Sequence, residues 1–105
     1  MKLIMAVIHR EDEHKVITGL QQGNYSATKL CSSGGFLKAG NTTLLIGLED
    51  ERVDDAISII EKYSKSRTRI VNTSIMPDMS INYPYEVEVG GATIFVMNVE
   101  RFEKV

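Results

Sequence analysis

Leu3-Ile4-Met5-Ala6-Val7-Ile8 is an unbroken apolar run with β-branched members, the pattern of a strand covered on both faces. It reads as a central strand, and the rest of the chain arranges itself around it. From Asp12 to Gln22, Val16, Ile17 and Leu20 line one face, acidic residues crowd the first turn, and Gly23 stands where a left-handed C-terminal cap belongs. This predicts a first helix. Ser26 to Ser32 reads as a second strand and Thr42 to Leu48 as a third. Ser33 to Asn41, between them, is rich in glycine and has no apolar period, so it reads as a loop. Asp50 has the character of an N-cap. Val53, Ala56, Ile57 and Ile60 then follow the i, i+3, i+4, i+7 spacing of a second helix. Asp54 and Asp55 near its start and Lys62 and Lys65 near its end suit the helix dipole.

After Arg67 and Arg69 comes a stretch containing Pro77, Asp78, Ser80, Asn82 and Pro84, which reads as a loop. Tyr85, Val87 and Val89 then alternate with Glu86 and Glu88. Gly90-Gly91 supplies the positive-φ residues of a two-residue turn, and Ala92 to Val99 returns as the second arm of a terminal hairpin. The order is an α+β, ferredoxin-like βαββαβ plan with an extra C-terminal hairpin strand, in a single domain spanning 1–105. Two helices cover only one face of such a sheet. The first, third and last strands nevertheless carry apolar residues at consecutive positions, which would leave a large apolar patch on the second face. Either another subunit buries that face, or loops of a monomer do.

Composition narrows the function. The chain has 105 residues, 43% hydrophobic and 25% charged, with a net charge of −2, which is ordinary for one folded domain. An acidic balance lacks the broad positive field that polymeric nucleic acid or an anionic membrane rewards. The apolar run at the amino terminus is too short for a signal core or a membrane span, and a cytoplasmic address is expected. Cys31 is the single cysteine, so no internal disulfide forms. A lone cysteine with no base patterned beside it is read as a small hydrophobe.

Catalytic signatures are absent: the sequence contains no HExxH, CxxC, GxSxG or GxGxxG pattern, and no enzyme constellation can be named. His9 and His14 lack the geometry of a shared metal site and read as solvent-exposed. Glu86 and Glu88 read as the solvated side of a strand. The segment that stands out is Ser32-Ser33-Gly34-Gly35-Phe36-Leu37-Lys38-Ala39-Gly40-Asn41-Thr42-Thr43. Its Gly35-x-x-x-x-Gly40 spacing is no P-loop, because Asn41 occupies the lysine position and a strand follows. It offers backbone N–H groups, serine hydroxyls, an aromatic ring at Phe36 and a carboxamide at Asn41. Adenine presents a donor beside an acceptor, which a carboxamide matches, and a flat face that stacks on a ring. The same residues also fit a tight structural loop in which Asn41 caps a turn and Phe36 packs down.

The run Asn24-Tyr25-Ser26-Ala27-Thr28-Lys29-Leu30, followed by Gly34-Gly35-Phe36-Leu37-Lys38-Ala39-Gly40-Asn41-Thr42-Thr43, resembles the hallmark of bacterial PII-like cyclic di-AMP receptors. Tyr83-Pro84-Tyr85-Glu86-Val87-Glu88-Val89-Gly90-Gly91-Ala92-Thr93-Ile94-Phe95-Val96-Met97 resembles their terminal hairpin, and the likeness covers nearly the whole chain. It implies a PII-like homotrimer with three ligand sites in clefts between subunits. Cyclic di-AMP is then the implied ligand, no separate cofactor is implied, and loop ordering controls a protein partner that the sequence does not name. By matching positions, the ligand contacts are Ser26, Ala27, Thr28, Gly35, Phe36, Leu37, Asn41 and Gly47. Thr28 and Asn41 would hydrogen-bond the inner adenine, Gly47 would add backbone contacts, and Phe36 would lie against the ligand. Lys38 and Lys104 are the candidates for phosphate contact.

The chain departs from that family at three places. Ser26 stands where members of this kind usually carry an arginine, able to stack on the outer adenine or to meet a phosphate. The loop before the hairpin is the shorter Met76-Pro77-Asp78-Met79-Ser80-Ile81-Asn82. Lys104 aligns with a ligand-reaching glutamine. These departures leave open a sensor of another adenyl nucleotide, ATP or AMP, and an adaptor trimer without a ligand.

Overall fold

The structure is a computed structural model that describes residues 1–30, 40–73 and 83–105. Its elements are β1 (Lys2–His9), α1 (Glu13–Gln22), β2 (Ala27–Leu30), β3 (Asn41–Leu48), α2 (Val53–Ser64), β4 (Arg67–Thr73), β5 (Tyr83–Val89) and β6 (Ala92–Asn98). Short 3-10 turns at Arg10–Asp12 and Asp50–Arg52 lead into the two helices. The main sheet has the order β2-β3-β1-β6, and every neighbouring pair in it is antiparallel. Each helix carries the chain across one strand: α1 takes it from β1 over β3 to β2, and α2 from β3 over β1 to β6. This is the βαββαβ plan, with β1 inside the sheet as its apolar run requires.

Side-chain alternation divides the sheet into two faces. Ile4, Ala6 and Ile8 of β1 and Leu44, Ile46 and Leu48 of β3 are buried against Val16 and Leu20 of α1 and Ala56 and Ile60 of α2. A Cβ built on Gly19 would lie 2.4 Å from the Tyr63 ring, so the absent side chain is what lets α1 approach α2 there.

The extra strand of the sequence reading proves to be a two-stranded ribbon, β4-β5, inserted between α2 and β6. Two sequence expectations change with it. The turn at Gly90-Gly91 forms with φ of 83° and 89°, but the strands it joins belong to different sheets. β5 pairs with β4, β6 pairs with β1, and the Gly91 N–H donates to the Ser64 carbonyl. The second change is that Arg67 to Thr73, read as the approach to a loop, is strand β4. Its period-two arginines are exposed but paired. Arg67 Nη2 lies 2.8 Å from buried Asp12 and 3.2 Å from Glu11, and Arg69 lies 3.2 Å from Glu11. Those bonds fasten the base of the ribbon to the end of β1, and the Asp12 carboxylate beside Arg67 raises the pKa of its guanidinium.

Two caps also differ. Gly23 has φ of −83°; the left-handed residue is Asn24, at φ 65°, whose short polar side chain tolerates that region. Asp50 makes no cap bond and begins the 3-10 turn; its carboxylate lies 3.0 Å from the amino-terminal ammonium, which lowers its pKa. The Gly23–Asn24 turn is locked by Tyr25, which is buried. Its hydroxyl donates to Asp55 at 2.6 Å, and the Arg52 guanidinium sits 4.2 Å above its ring while reaching the Gly23 carbonyl at 3.1 Å. The Asp55 carboxylate, accepting that bond, raises the pKa of the phenol. This cluster sets where β2 begins. Tyr25→Phe, which keeps the ring and removes the charged hydrogen bond, is expected to cost about 1.5 kcal/mol in urea unfolding.

Candidate functional site

The face turned away from the helices can be read row by row from the strand register. Thr28, Leu45, Met5 and Phe95 form one row across the four strands, and Leu30, Thr43, Val7 and Thr93 the next. Gly47, Leu3 and Met97 flank them at one end, and Asn41 pairs with His9 at the other. The face is therefore apolar in its middle with polar groups at its margins. Leu30 is 42%, Phe95 48% and Met97 39% exposed, which is a contiguous patch rather than scattered surface residues.

Thr28, Asn41 and Gly47 all lie on this open face. They do not converge within one chain. Asn41 and Gly47 are six positions apart on β3, roughly 20 Å along the strand, and Thr28, opposite Leu45, lies nearer Gly47. Asn41 lines a cleft of about 300 Å³ with Val7, His9, Thr93 and the Gly90-Gly91 turn, at the small end of ligand-pocket sizes. Ser26 is exposed just ahead of β2, and Ala27 turns the other way, packing against the core. Lys104 is exposed in the segment after β6, which leaves the sheet at the Gly47 end, where the Val99 N–H donates to the Met1 carbonyl. Gly35, Phe36, Leu37 and Lys38 lie outside the described residues.

Two side chains beside the site carry signals that sequence reading passed over. Thr43 is 2% exposed, and its hydroxyl has no hydrogen-bond partner among the described residues. A buried hydroxyl left unpaired costs about 1–3 kcal/mol, so this one stands ready to accept a partner. A threonine in an apolar strand gives no hint of that, since its type is ordinary for a strand. His9, expected to be solvent-exposed, is half-buried beside Asn41, because the Gly90-Gly91 turn folds back next to it.

Behind the open face, Glu13 joins α1 to the sheet: it lies 2.5 Å from Lys29 Nζ and accepts from the Thr42 hydroxyl at 3.0 Å. The Lys29 bond, and then the Thr42 bond, hold its carboxyl below the ordinary value, against an opposing effect of burial. A carboxylate with a lowered folded pKa stabilises fully above the ordinary range, and that contribution disappears as pH falls through the lowered value. Glu13→Gln is expected to lower stability by about 0.5–1 kcal/mol at neutral pH. Urea unfolding as a function of pH should show the difference shrinking once the solution is more acidic than the ordinary carboxylate value of 4.5.

Among solved structures, the chain is similar to a protein from Pediococcus pentosaceus ATCC 25745 described as functionally unknown. The identity is 39%, over 99% of this chain and 96% of that one, with a TM-score of 0.77. The fold is thus shared over the full length. The family model described as cyclic-di-AMP receptor matches residues 1–105. The chain, whole, belongs to the cyclic-di-AMP receptor family, a family of signalling receptors and not of enzymes.

Proposed function

We propose that this protein is a cytoplasmic, single-domain PII-like sensor that binds cyclic di-AMP in clefts between the subunits of a homotrimer. The observation that carries this reading is the spacing of Thr28, Asn41 and Gly47 on an uncovered sheet face. One chain spreads them over roughly 20 Å, and the apolar patch between them calls for another copy of the chain. When copies close on that face, the Gly47 end of one subunit comes beside the Asn41 end of its neighbour. The two adenines of a cyclic dinucleotide would then be held from both sides.

In this arrangement the Asn41 carboxamide and the Thr28 hydroxyl read the donor–acceptor edge of the inner adenine. The Gly47 backbone approaches the ligand closely, and an ammonium from Lys38 or Lys104 meets a phosphate. Phe36 lies against a base, with Gly35 and Leu37 offering main-chain groups. Ligand binding at this interface alters the surface shown to a protein partner.

Ser26 favours a second reading alongside the first. An arginine there would stack on the outer adenine, and its loss costs about 1–2 kcal/mol, roughly one decade in affinity. A site with only its inner pocket intact would suit a mononucleotide such as ATP or AMP. Isothermal titration with cyclic di-AMP, ATP and AMP separates the two. Cyclic di-AMP is expected to bind near micromolar or tighter. Asn41→Ala should weaken it about tenfold, and Ser26→Arg should strengthen it by a similar factor. Heat from ATP or AMP alone would move the function to that nucleotide. Silence with all three would leave an adaptor without a ligand.

A further inference from the structure

On the helical side of the molecule, remote from the open face, Lys15, Lys62, Lys65, Tyr63, Asp12 and Arg67 line a cleft of about 220 Å³. Four of the six are cations, brought together from α1, from the end of α2, from the link after it and from the base of β4. The carboxylate in the cleft is already engaged, since Asp12 is buried and bonded to Arg67 at 2.8 Å. Glu11, one helical turn before Lys15 and its natural partner, is bonded to Arg67 and Arg69 at 3.2 Å. Glu61, beside Lys62, lines a neighbouring cleft with Ile57, Ser64 and Lys65, without an ion pair to it. Among the described residues, none of the three lysines has a carboxylate within 4 Å. Lys62 has only the Tyr63 ring, 5.2 Å away.

Helix ends account for part of this arrangement. Lys62 and Lys65 flank the C-terminus of α2, where the dipole favours cations. Lys15 has the opposite setting: it stands in the first turn of α1, where the dipole disfavours a positive charge. A chain of net charge −2 thus gathers three uncompensated ammonium groups and a phenol around one concave site, with one lysine placed against its own helix. Like charges so gathered repel one another, and a multivalent anion that enters replaces the repulsion with charge-assisted hydrogen bonds.

We propose that this cleft is a second anion site, for a small multivalent oxyanion of the phosphate class, separate from the nucleotide site on the open face. The three lysines supply point charges and donors, the Tyr63 hydroxyl adds a neutral donor, and Arg67 couples the site to the ribbon through Asp12. A ligand here therefore touches both the helical layer and the base of β4.

The test is thermal unfolding of the full chain with pyrophosphate, against sodium chloride at matched ionic strength, followed by titration calorimetry. The expected result is a pyrophosphate-specific rise in Tm that grows with concentration as a binding site requires. The Lys15→Gln/Lys62→Gln variant should bind about tenfold more weakly or worse. Lys38→Gln/Lys104→Gln should keep the pyrophosphate response, which separates this cleft from the phosphate contacts of the nucleotide site. The proposal is overturned if pyrophosphate stabilises no more than chloride, if the Lys15→Gln/Lys62→Gln variant binds as tightly as the parent, or if Lys38→Gln/Lys104→Gln abolishes the response.

Discussion

Two helices lie on one face of a four-stranded sheet, and the apolar residues on its other face are the constraint from which the proposed assembly follows. Everything notable about this protein follows from that constraint. The helical face completes its core within the chain through Ile4, Ala6, Ile8, Leu44 and Ile46 against Val16, Leu20, Ala56 and Ile60. The opposite face presents Leu3, Met5, Val7, Leu30, Leu45, Phe95 and Met97 across the same strands, and in water such a patch favours association. Thr28, Asn41 and Gly47 stand at the margins of that patch, so in the proposed arrangement recognition and assembly share one surface. A ligand held there would be bound by the same contacts that hold subunits together, so its affinity and the stability of the assembly are thermodynamically linked.

Polar contacts place the elements that the core leaves free. Tyr25, with Arg52 and Asp55, fixes the turn before β2 and so positions Thr28. Glu13, with Lys29 and Thr42, ties the first turn of α1 to β2 and β3. Asp12 and Glu11 hold the arginines of β4, so the inserted ribbon leaves the body of the molecule at a defined base. Each contact bridges elements far apart in sequence, and each involves residue types whose partners no local pattern reveals.

That division explains what could be read from the sequence. The apolar run of β1, the helical spacing of Val53, Ala56, Ile57 and Ile60, and the positive φ at Gly90-Gly91 are local properties, and they were legible. The pairing of β5 with β4 was not, because a glycine turn fixes the bend and not the strand that each arm will meet. β4 itself was hidden by Arg67 and Arg69, which look solvated until Asp12 and Glu11 are brought beside them. For the candidate site, Thr28, Asn41 and Gly47 were nominated by likeness to a family, and the strand register puts all three on one face. The buried hydroxyl of Thr43 and the half-buried ring of His9 depend on neighbours from other strands, so only the structure exposes them.

The claim on which the rest depends is that the open face is covered by further copies of the chain. Sedimentation velocity on the purified protein at micromolar concentration tests this most directly. A single species of three times the 11.7 kDa chain mass, dissociating when Phe95 or Leu45 is changed to Glu, is the predicted result. A stable monomer with the same helix content would contradict it and would leave Thr28, Asn41 and Gly47 too far apart to serve one ligand.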